Sequence, residues 1–353
     1  MRGIVDGGAR DVLLVADGAS IHTRRLLRAL LERDVRAAIA TFAPSGVPDA
    51  TEHLLPSAPG DTRYLRGVFA LAGIVARRRP AIVHAHYVSS FGLMAALALR
   101  IARSGARLVQ TAWGTDLLVT SRRSAARAAM ARFALGAADL VTADSADLED
   151  EARRLAPAPR FMRFVFGPNA ALLRSDGPRD PILVSMRRLD PEMRVDLVVR
   201  GFRRARQLAP DALAPWRLLV AGDGADAAVV REAAAGDGAV EIAGALAHDE
   251  LRQRIVRARA QVAVPRSDAT SAALLDGLAA GLLPVVNDLP ATREWVDPLI
   301  GEIVPTDPTV DDMAVALVRG MTRDVDRERI RDRVRAVTWE AEVDRLVAAY
   351  ASL

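Results

Sequence analysis

The chain has 353 residues, 51% of them hydrophobic, with 48 basic residues against 44 acidic ones and no cysteine. That length exceeds one ordinary core and suits two domains of about 150 to 180 residues, which implies a cleft. The lack of cysteine excludes disulfides, cysteine nucleophiles, thiolate zinc sites and iron–sulfur clusters, and every basic residue is an arginine, which excludes a P-loop lysine and a pyridoxal Schiff base.

In chain order, Asp6, Asp11 and Asp17 precede any long apolar run, so the N-terminus does not read as a secretion signal. DVLLVA (11–16) reads as a first strand. It is followed by DGASIHT (17–23), a glycine turn into the amphipathic pattern HTRRLLRALLER (22–33), whose amide end suits a phosphate or sugar oxygen. The three spaced glycines of a dinucleotide fingerprint are missing. The stretch 80–99 approaches the roughly 20 residues of a bilayer span. His84, His86, Ser89 and Ser90 interrupt it, so the protein is expected to be soluble or peripheral.

AIVHA (81–85) is a second strand leading into HAHY, which sets His84 and His86 on one strand face. The pair can be read as a metal site without a further ligand at the right spacing, as a hydrogen-bonding histidine at a strand end, or as a buried structural histidine. ARLVQTAW (106–113) ends in WGTDLL (113–118), where Asp116 either meets a ligand or caps the next helix. DLVTA (139–143) closes this series of strands. Residues 1–170 hold 23 arginines and 15 acids, and 171–353 hold 25 and 29. The basic first half, through Arg77 to Arg79 and SRRSAARAAMARF (121–133), either faces an anionic surface or forms solvated helix faces.

GPNAALLRSDGPRDP (167–181) is rich in turn residues and reads as the interdomain linker. A second alternating series follows: PILVSM (181–186), WRLLVAG (216–222), QVAVP (261–265) and LPVVN (283–287). Such alternation predicts parallel sheets with helices on both faces and ligands at the carboxyl ends of the strands. SMRRLDPEMRVD (185–196) places Arg187, Arg188 and Arg194 after a strand, where guanidinium forks match phosphate oxygens. In SDATSAALLDGLAAG (267–281), Thr270 or Ser271 can cap a helix, with Asp268 before it and Asp276 inside it. Eight helical positions separate these acids by roughly 12 Å, enough to hold two ends of one ligand. The final segment, from about 331 to 351, reads as an amphipathic helix.

These clusters together resemble glycosyltransferase family 4. SDATSAALLDGLAAGLLPVV is similar to the family pattern EGFGLPLLEAMACGLPVV, with Asp268 and Asp276 in the acidic places and Leu274, Leu275, Ala279 and Gly281 in register. ADGASIHTRRLLRALLER, HAHY, WGTDLL, AGDGADAAVV (221–230), GALAHDELRQRIVRA and DLPATREWV (288–296) resemble further family segments in order.

The resemblance implies an α/β protein of GT-B fold, two Rossmann-like, doubly wound parallel-sheet domains facing a central cleft. It puts an acceptor domain at 1–172, a donor domain at 173–336 and a helix at 337–353 that packs back on the first. It implies a retaining transfer of sugar from a nucleoside diphosphate donor, UDP- or GDP-linked, to a sugar, lipid-linked or small-molecule hydroxyl acceptor, with no cofactor, metal or nucleic acid. His86, Asp268 and Arg188 would be catalytic. Gly18, Arg188, Arg194, Asp268, Thr270, Ser271, Ala272 and Asp276 would bind the donor, and Ser20, His22, Trp113 and Asp116 the acceptor. Acceptor recognition is expected around 20–25 and 88–91. The family lysine falls at Met193, leaving Arg194 beside it to supply the charge. A cytoplasmic location is expected, with peripheral contact at the inner membrane face. The rival expectations are a nucleotide-sugar epimerase of the same fold and a catalytically weak nucleotide-binding partner protein.

Overall fold

The apolar runs form the strands. The computed structural model describes residues 11–57, 60 and 62–353, so Asp6 lies outside the described residues. One sheet holds β1 (Asp11–Val15), β2 (Arg36–Thr41), β3 (Thr51–Leu54), β4 (Ile82–His86), β5 (Arg107–Thr111), β6 (Leu140–Ala143) and β7 (Arg160–Arg163), in the order β3-β2-β1-β4-β5-β6-β7. The other holds β8 (Ile182–Ser185), β9 (Arg217–Ala221), β10 (Val240–Gly244), β11 (Ala260–Ala263), β12 (Leu283–Asn287) and β13 (Glu302–Val304), in the order β10-β9-β8-β11-β12-β13. Every pairing is parallel. The expected pair of Rossmann-like sheets is what the chain forms.

Burial shows why. β4 and β12 are buried at every position, and successive residues of a strand face opposite sides, so both faces of each sheet are covered. The edge strands β3, β7 and β10 carry mostly half-buried or exposed residues. The stretch 80–99, long enough to suggest a span, divides into β4, a single helical turn at Val88–Gly92 and the start of the helix Leu93–Ala102. Among the described residues no helix is long and apolar enough to cross a membrane.

The chain divides into two units, one of residues up to Phe166 together with Glu342–Leu353, the other Gly167–Ala341. In the first unit the terminal segment is tied down by buried polar contacts. Val165 donates its N–H to the fully buried Glu342 carboxylate at 2.8 Å, and His84 Nδ1 lies 2.5 Å from the Tyr350 hydroxyl.

In each sheet the strand order reverses beside the first strand of the unit, at β1/β4 and at β8/β11. The carboxyl ends of strands at such a reversal are where open parallel sheets leave a crevice for ligands. The DGASIHT segment follows β1, and HAHY forms the carboxyl end of β4 and the residue after it. The double-arginine and SDATS segments follow β8 and β11.

Candidate functional site

In the second unit, the loop after β8 carries Arg187 and Arg188, and the loop after β11 carries Asp268. Arg187 reaches the start of the helix Ala272–Ala279. Its Nη2 lies 2.8 Å from Asp268 Oδ2, and its Nη1 donates to Ser271 Oγ. Ser271 is the N-cap and also accepts from the Leu274 N–H at 3.3 Å. The earlier helix amides have no partner within their own helix and give this end a partial positive charge. Trp295 Nε1 donates to Thr270 Oγ1 at 3.2 Å and steadies the residue before the cap. Burial pushes the Asp268 carboxyl up from its usual range, and the Arg187 guanidinium offsets only part of that rise. A cation, a helix start and a carboxylate therefore converge at the reversal point. Ala272 opens the helix, and Asp276 is half-buried further along it.

Two glycines build the loop. A Cβ on Gly222 would stand 2.0 Å from Arg187 O, and one on Gly224 would stand 2.5 Å from Leu189 O. Leu189 N–H donates to Asp223 O at 3.1 Å and Asp226 N–H donates back to Leu189 O at 2.6 Å. The AGDGA turn after β9 is thus the buttress of the arginine loop, and only glycine permits so close an approach.

Two expected donor residues are placed otherwise. Arg188 points to solvent, 76% exposed at its side chain, with Nε donating to Asp190 Oδ2 at 2.7 Å. Arg194, expected to supply the charge missing at Met193, is buried and structural. Its Nε donates to Val264 O, its Nη2 to Pro265 O at 3.1 Å and Thr306 O at 2.9 Å, and its Nη1 to Asp307 at 2.6 Å. With those donors occupied, Arg194 ties the ends of β11 and β13 together and has no free fork for phosphate. Arg187, one of the three arginines the sequence places after this strand but not the one the family resemblance singles out, holds the position at the helix start.

In the first unit, Gly18 lies in the loop after β1, donating its N–H to Thr41 Oγ1 at 2.8 Å. A Cβ there would meet Ala43 O at 2.2 Å. Ser20 precedes the helix Ile21–Leu31, which brings His22 toward an aromatic group. The His22 ring lies 5.2 Å from Trp113 and 5.0 Å from Phe166, Tyr87 stacks on Trp113 at 5.4 Å, and His86 is 5.9 Å from Trp113. His86 Nε2 and Trp113 Nε1 are buried without a hydrogen-bond partner. An unsatisfied buried donor or acceptor is costly, and a ligand hydroxyl would repair it.

His84, two residues before His86, has both nitrogens occupied, Nδ1 by Tyr350 and Nε2 by Thr111 Oγ1 at 2.7 Å, which makes it the structural member of the pair. Asp116 does not cap the turn it lies in, which has no side-chain cap. Its buried carboxylate accepts from the Val88 N–H, from the Ser89 N–H at 3.1 Å and from the Ser89 hydroxyl, and so caps the turn after β4. Two main-chain N–H groups and the Ser89 hydroxyl thus give Asp116 a structural role in place of the free carboxylate that an acceptor site would use. Val88 and Phe91 are buried in the core, so the expected recognition stretch 88–91 offers only Ser89 and Ser90 at its surface.

Burial lowers the pKa of His22 from 6.5 to about 4 and that of His86 to about 3, with Arg25 adding to the first and His22 to the second. The folded unit keeps both rings neutral, while the unfolded chain binds protons near 6.5. Stability is therefore present above that value and is lost as pH falls from about 6.5 toward 4. Thermal denaturation is expected to show a lower Tm at pH 5 than at pH 7.5, and His22→Phe to shrink that drop; an equal drop in the variant would remove His22 from the effect.

Comparison with known proteins bears on both units. The family profile described as Glycosyl transferase 4-like matches residues 11–145, and the one described as Glycosyl transferases group 1 matches residues 180–323. Sucrose-phosphate synthase from Thermosynechococcus elongatus is similar in structure, with TM-score 0.76 and 18% identity over 97% of this chain and 99% of that one. HepE of Anabaena in complex with UDP superposes with TM-score 0.74 and 14% identity over 97% and 100% of the two chains. For the UDP-forming alpha,alpha-trehalose-phosphate synthase of Burkholderia vietnamiensis the values are 0.71 and 13%, over 97% and 100%. At such identities these likenesses show the fold. A search of curated proteins finds no match.

Proposed function

Because this chain belongs to the family 4-like glycosyltransferases and has their GT-B fold, we propose that it transfers a sugar from a nucleoside diphosphate donor to a hydroxyl acceptor with retention of configuration. The observation that carries this reading is the meeting of Arg187, Asp268 and the Ser271-capped helix start at the β8/β11 reversal. Guanidinium and main-chain N–H groups suit a diphosphate, and a carboxylate suits sugar hydroxyls. Solved complexes of HepE contain UDP and UDP-glucose, which supports a uridine donor here.

In the proposed reaction the anomeric C–O bond breaks and its electron pair stays on the diphosphate oxygen. The acceptor oxygen bonds to the same face of the sugar, and its proton passes to a phosphate oxygen. Asp276 is proposed to hold the ribose. His86 offers its unpartnered Nε2, and Trp113 its Nε1, to hydroxyl groups, with the rings of His22 and Tyr87 beside them. The charge on the leaving group is assigned to arginine and helix amides, with no metal. The protein is proposed to work in the cytoplasm, and the exposed Arg123, Arg127 and Arg132 to make its contact with an anionic membrane surface.

The test is diphosphate release from UDP- and GDP-sugars across a panel of hydroxyl acceptors, with and without EDTA. Release that requires an acceptor and survives EDTA is expected. A rearranged sugar from donor alone would make the protein an epimerase, and tight nucleotide binding without turnover would make it a binding partner.

A further inference from the structure

At the opposite end of the second sheet from the arginine loop, a cleft of about 350 Å³ opens among charged side chains. The strands β9, β8, β11 and β12 lie side by side. Trp216, Arg179 and Arg259 come shortly before the first three of these, and Leu283 opens the fourth, so the cleft lies at their amino ends. Arg323 and Arg327 line it from the segment after the helix Val310–Thr322. Against four guanidinium groups the lining holds one carboxylate, Asp324. Carboxylates outside the lining cancel part of the charge: Glu302 lies 3.4 Å from Arg323, and Asp176 lies 3.9 Å from Arg327 and 3.1 Å from Arg331 behind it. Among the described residues Arg179 and Arg259 have no such partner. Arg179 donates Nη1 to Ala258 O at 2.5 Å and Nη2 to Ala280 O, which caps the helix Ala272–Ala279 and leaves the charge in place. Arg259 stands exposed over the Trp216 ring, 5.6 Å from its centre, and no hydrogen bond or ion pair holds its side chain. One cation is enough to offset the partial negative charge at a helix end, so the others are surplus to that role. The Nε atoms of Arg179 and Arg327 are buried without a hydrogen-bond partner, which is costly for a charged donor. Burial, with Arg327 and Arg331 close by, lowers Arg179 from 12.5 to about 10, so it remains a cation at neutral pH.

We propose that this cleft is a second ligand site, separate from the donor site, which takes the phosphate group of a small phosphorylated molecule against Arg179, Arg259 and Arg327. Guanidinium groups match phosphate oxygens with charge-assisted hydrogen bonds, and two uncancelled cations suit a dianion. Arg259 is the mobile member, free to turn from the indole onto the anion, while Arg179 is held in place by its carbonyls. The volume falls within the roughly 300 to 1,000 Å³ of small-molecule sites. It leaves room beside the phosphate for a short body along Trp216, Leu283 and Ile330. Because the cleft and the arginine loop occupy opposite ends of the same strands, its occupant does not compete with a nucleotide, and the assignment stands apart from the donor reading.

The experiment titrates the full chain with inorganic phosphate, glycerol 3-phosphate and glycerol by calorimetry, at constant ionic strength in a buffer free of other multivalent anions. A saturable phosphate site is expected that glycerol alone does not fill. It should persist within about threefold in Arg187→Gln, which alters the other anion-binding end of the sheet, and weaken at least tenfold in Arg259→Gln. The Arg259 side chain is exposed and unbonded, so Tm without ligand should stay at the wild-type value. Tighter binding of glycerol 3-phosphate than of phosphate would support an esterified occupant, and equal binding would support the phosphate ion itself in the same site. No saturable binding to the wild type at millimolar concentration overturns the proposal. So does undiminished binding by Arg259→Gln, or a site lost in Arg187→Gln.

Discussion

Asp268→Asn is expected to lower kcat by about a hundredfold or more, the scale found when one preorganised charged contact to a transition state is lost. Asn keeps the shape of the side chain but replaces the charge opposite Arg187, which sits 2.8 Å away. Two effects then add. The sugar hydroxyls lose a charged acceptor, and the guanidinium loses the partner that sets its plane. The fold should survive, because the pair is only partly enclosed, with 22% of the Asp268 side chain exposed. Leaving Arg187 half-paired costs about 1 to 2 kcal/mol, a fall of a few degrees in Tm for a protein of this size. The check is kcat and Tm measured together. Undiminished turnover would remove Asp268 from the site, and a collapse of Tm would make the loss one of folding.

The architecture was readable because the inner strands are buried on both faces and so appear as unbroken apolar runs. Eight strands are visible in this way, from DVLLVA to LPVVN. The strands that escaped are β2, β3, β7, β10 and β13. β2 is half alanine, which has no strand preference, and β3, β7, β10 and β13 are short and polar or sit at or near a sheet edge. The capped helix with its preceding acid was also legible, since Asp-Ala-Thr-Ser before an apolar run is a local signal.

The choice among adjacent arginines was not legible. Neighbouring residues leaving a strand point in opposite directions, so Arg187 and Arg188 differ in fate by one position. What settles the direction is Asp190 taking Arg188, together with Ser271, 84 residues on, taking Arg187. His84 and His86 divide for a similar reason. They share a face, but the partner that satisfies His84 is Tyr350, 266 residues away. No local pattern carries contacts of that range.

The same loop sets the second large effect. Gly222→Ala is expected to weaken binding of the nucleoside diphosphate tenfold or more and to destabilise the second unit by about 1 to 3 kcal/mol, the usual cost of forcing atoms into a filled space. The added Cβ would stand 2.0 Å from Arg187 O and 2.9 Å from its carbonyl carbon. Both are main-chain atoms, and no rotamer change can relieve the overlap. Either β9 or the arginine loop must shift, and the loop is tied to the turn after β9 by the exchange between Leu189, Asp223 and Asp226 and by the Ala225 N–H on Asp190 Oδ1 at 3.4 Å. A shift there carries the Arg187 guanidinium off Asp268 and Ser271, so binding falls together with stability. Gly238→Ala is the control, since a Cβ there meets no atom within 4 Å. Urea unfolding and nucleotide titration of the two variants separate the cases. Wild-type binding by Gly222→Ala would show that the position of the loop does not govern the donor site.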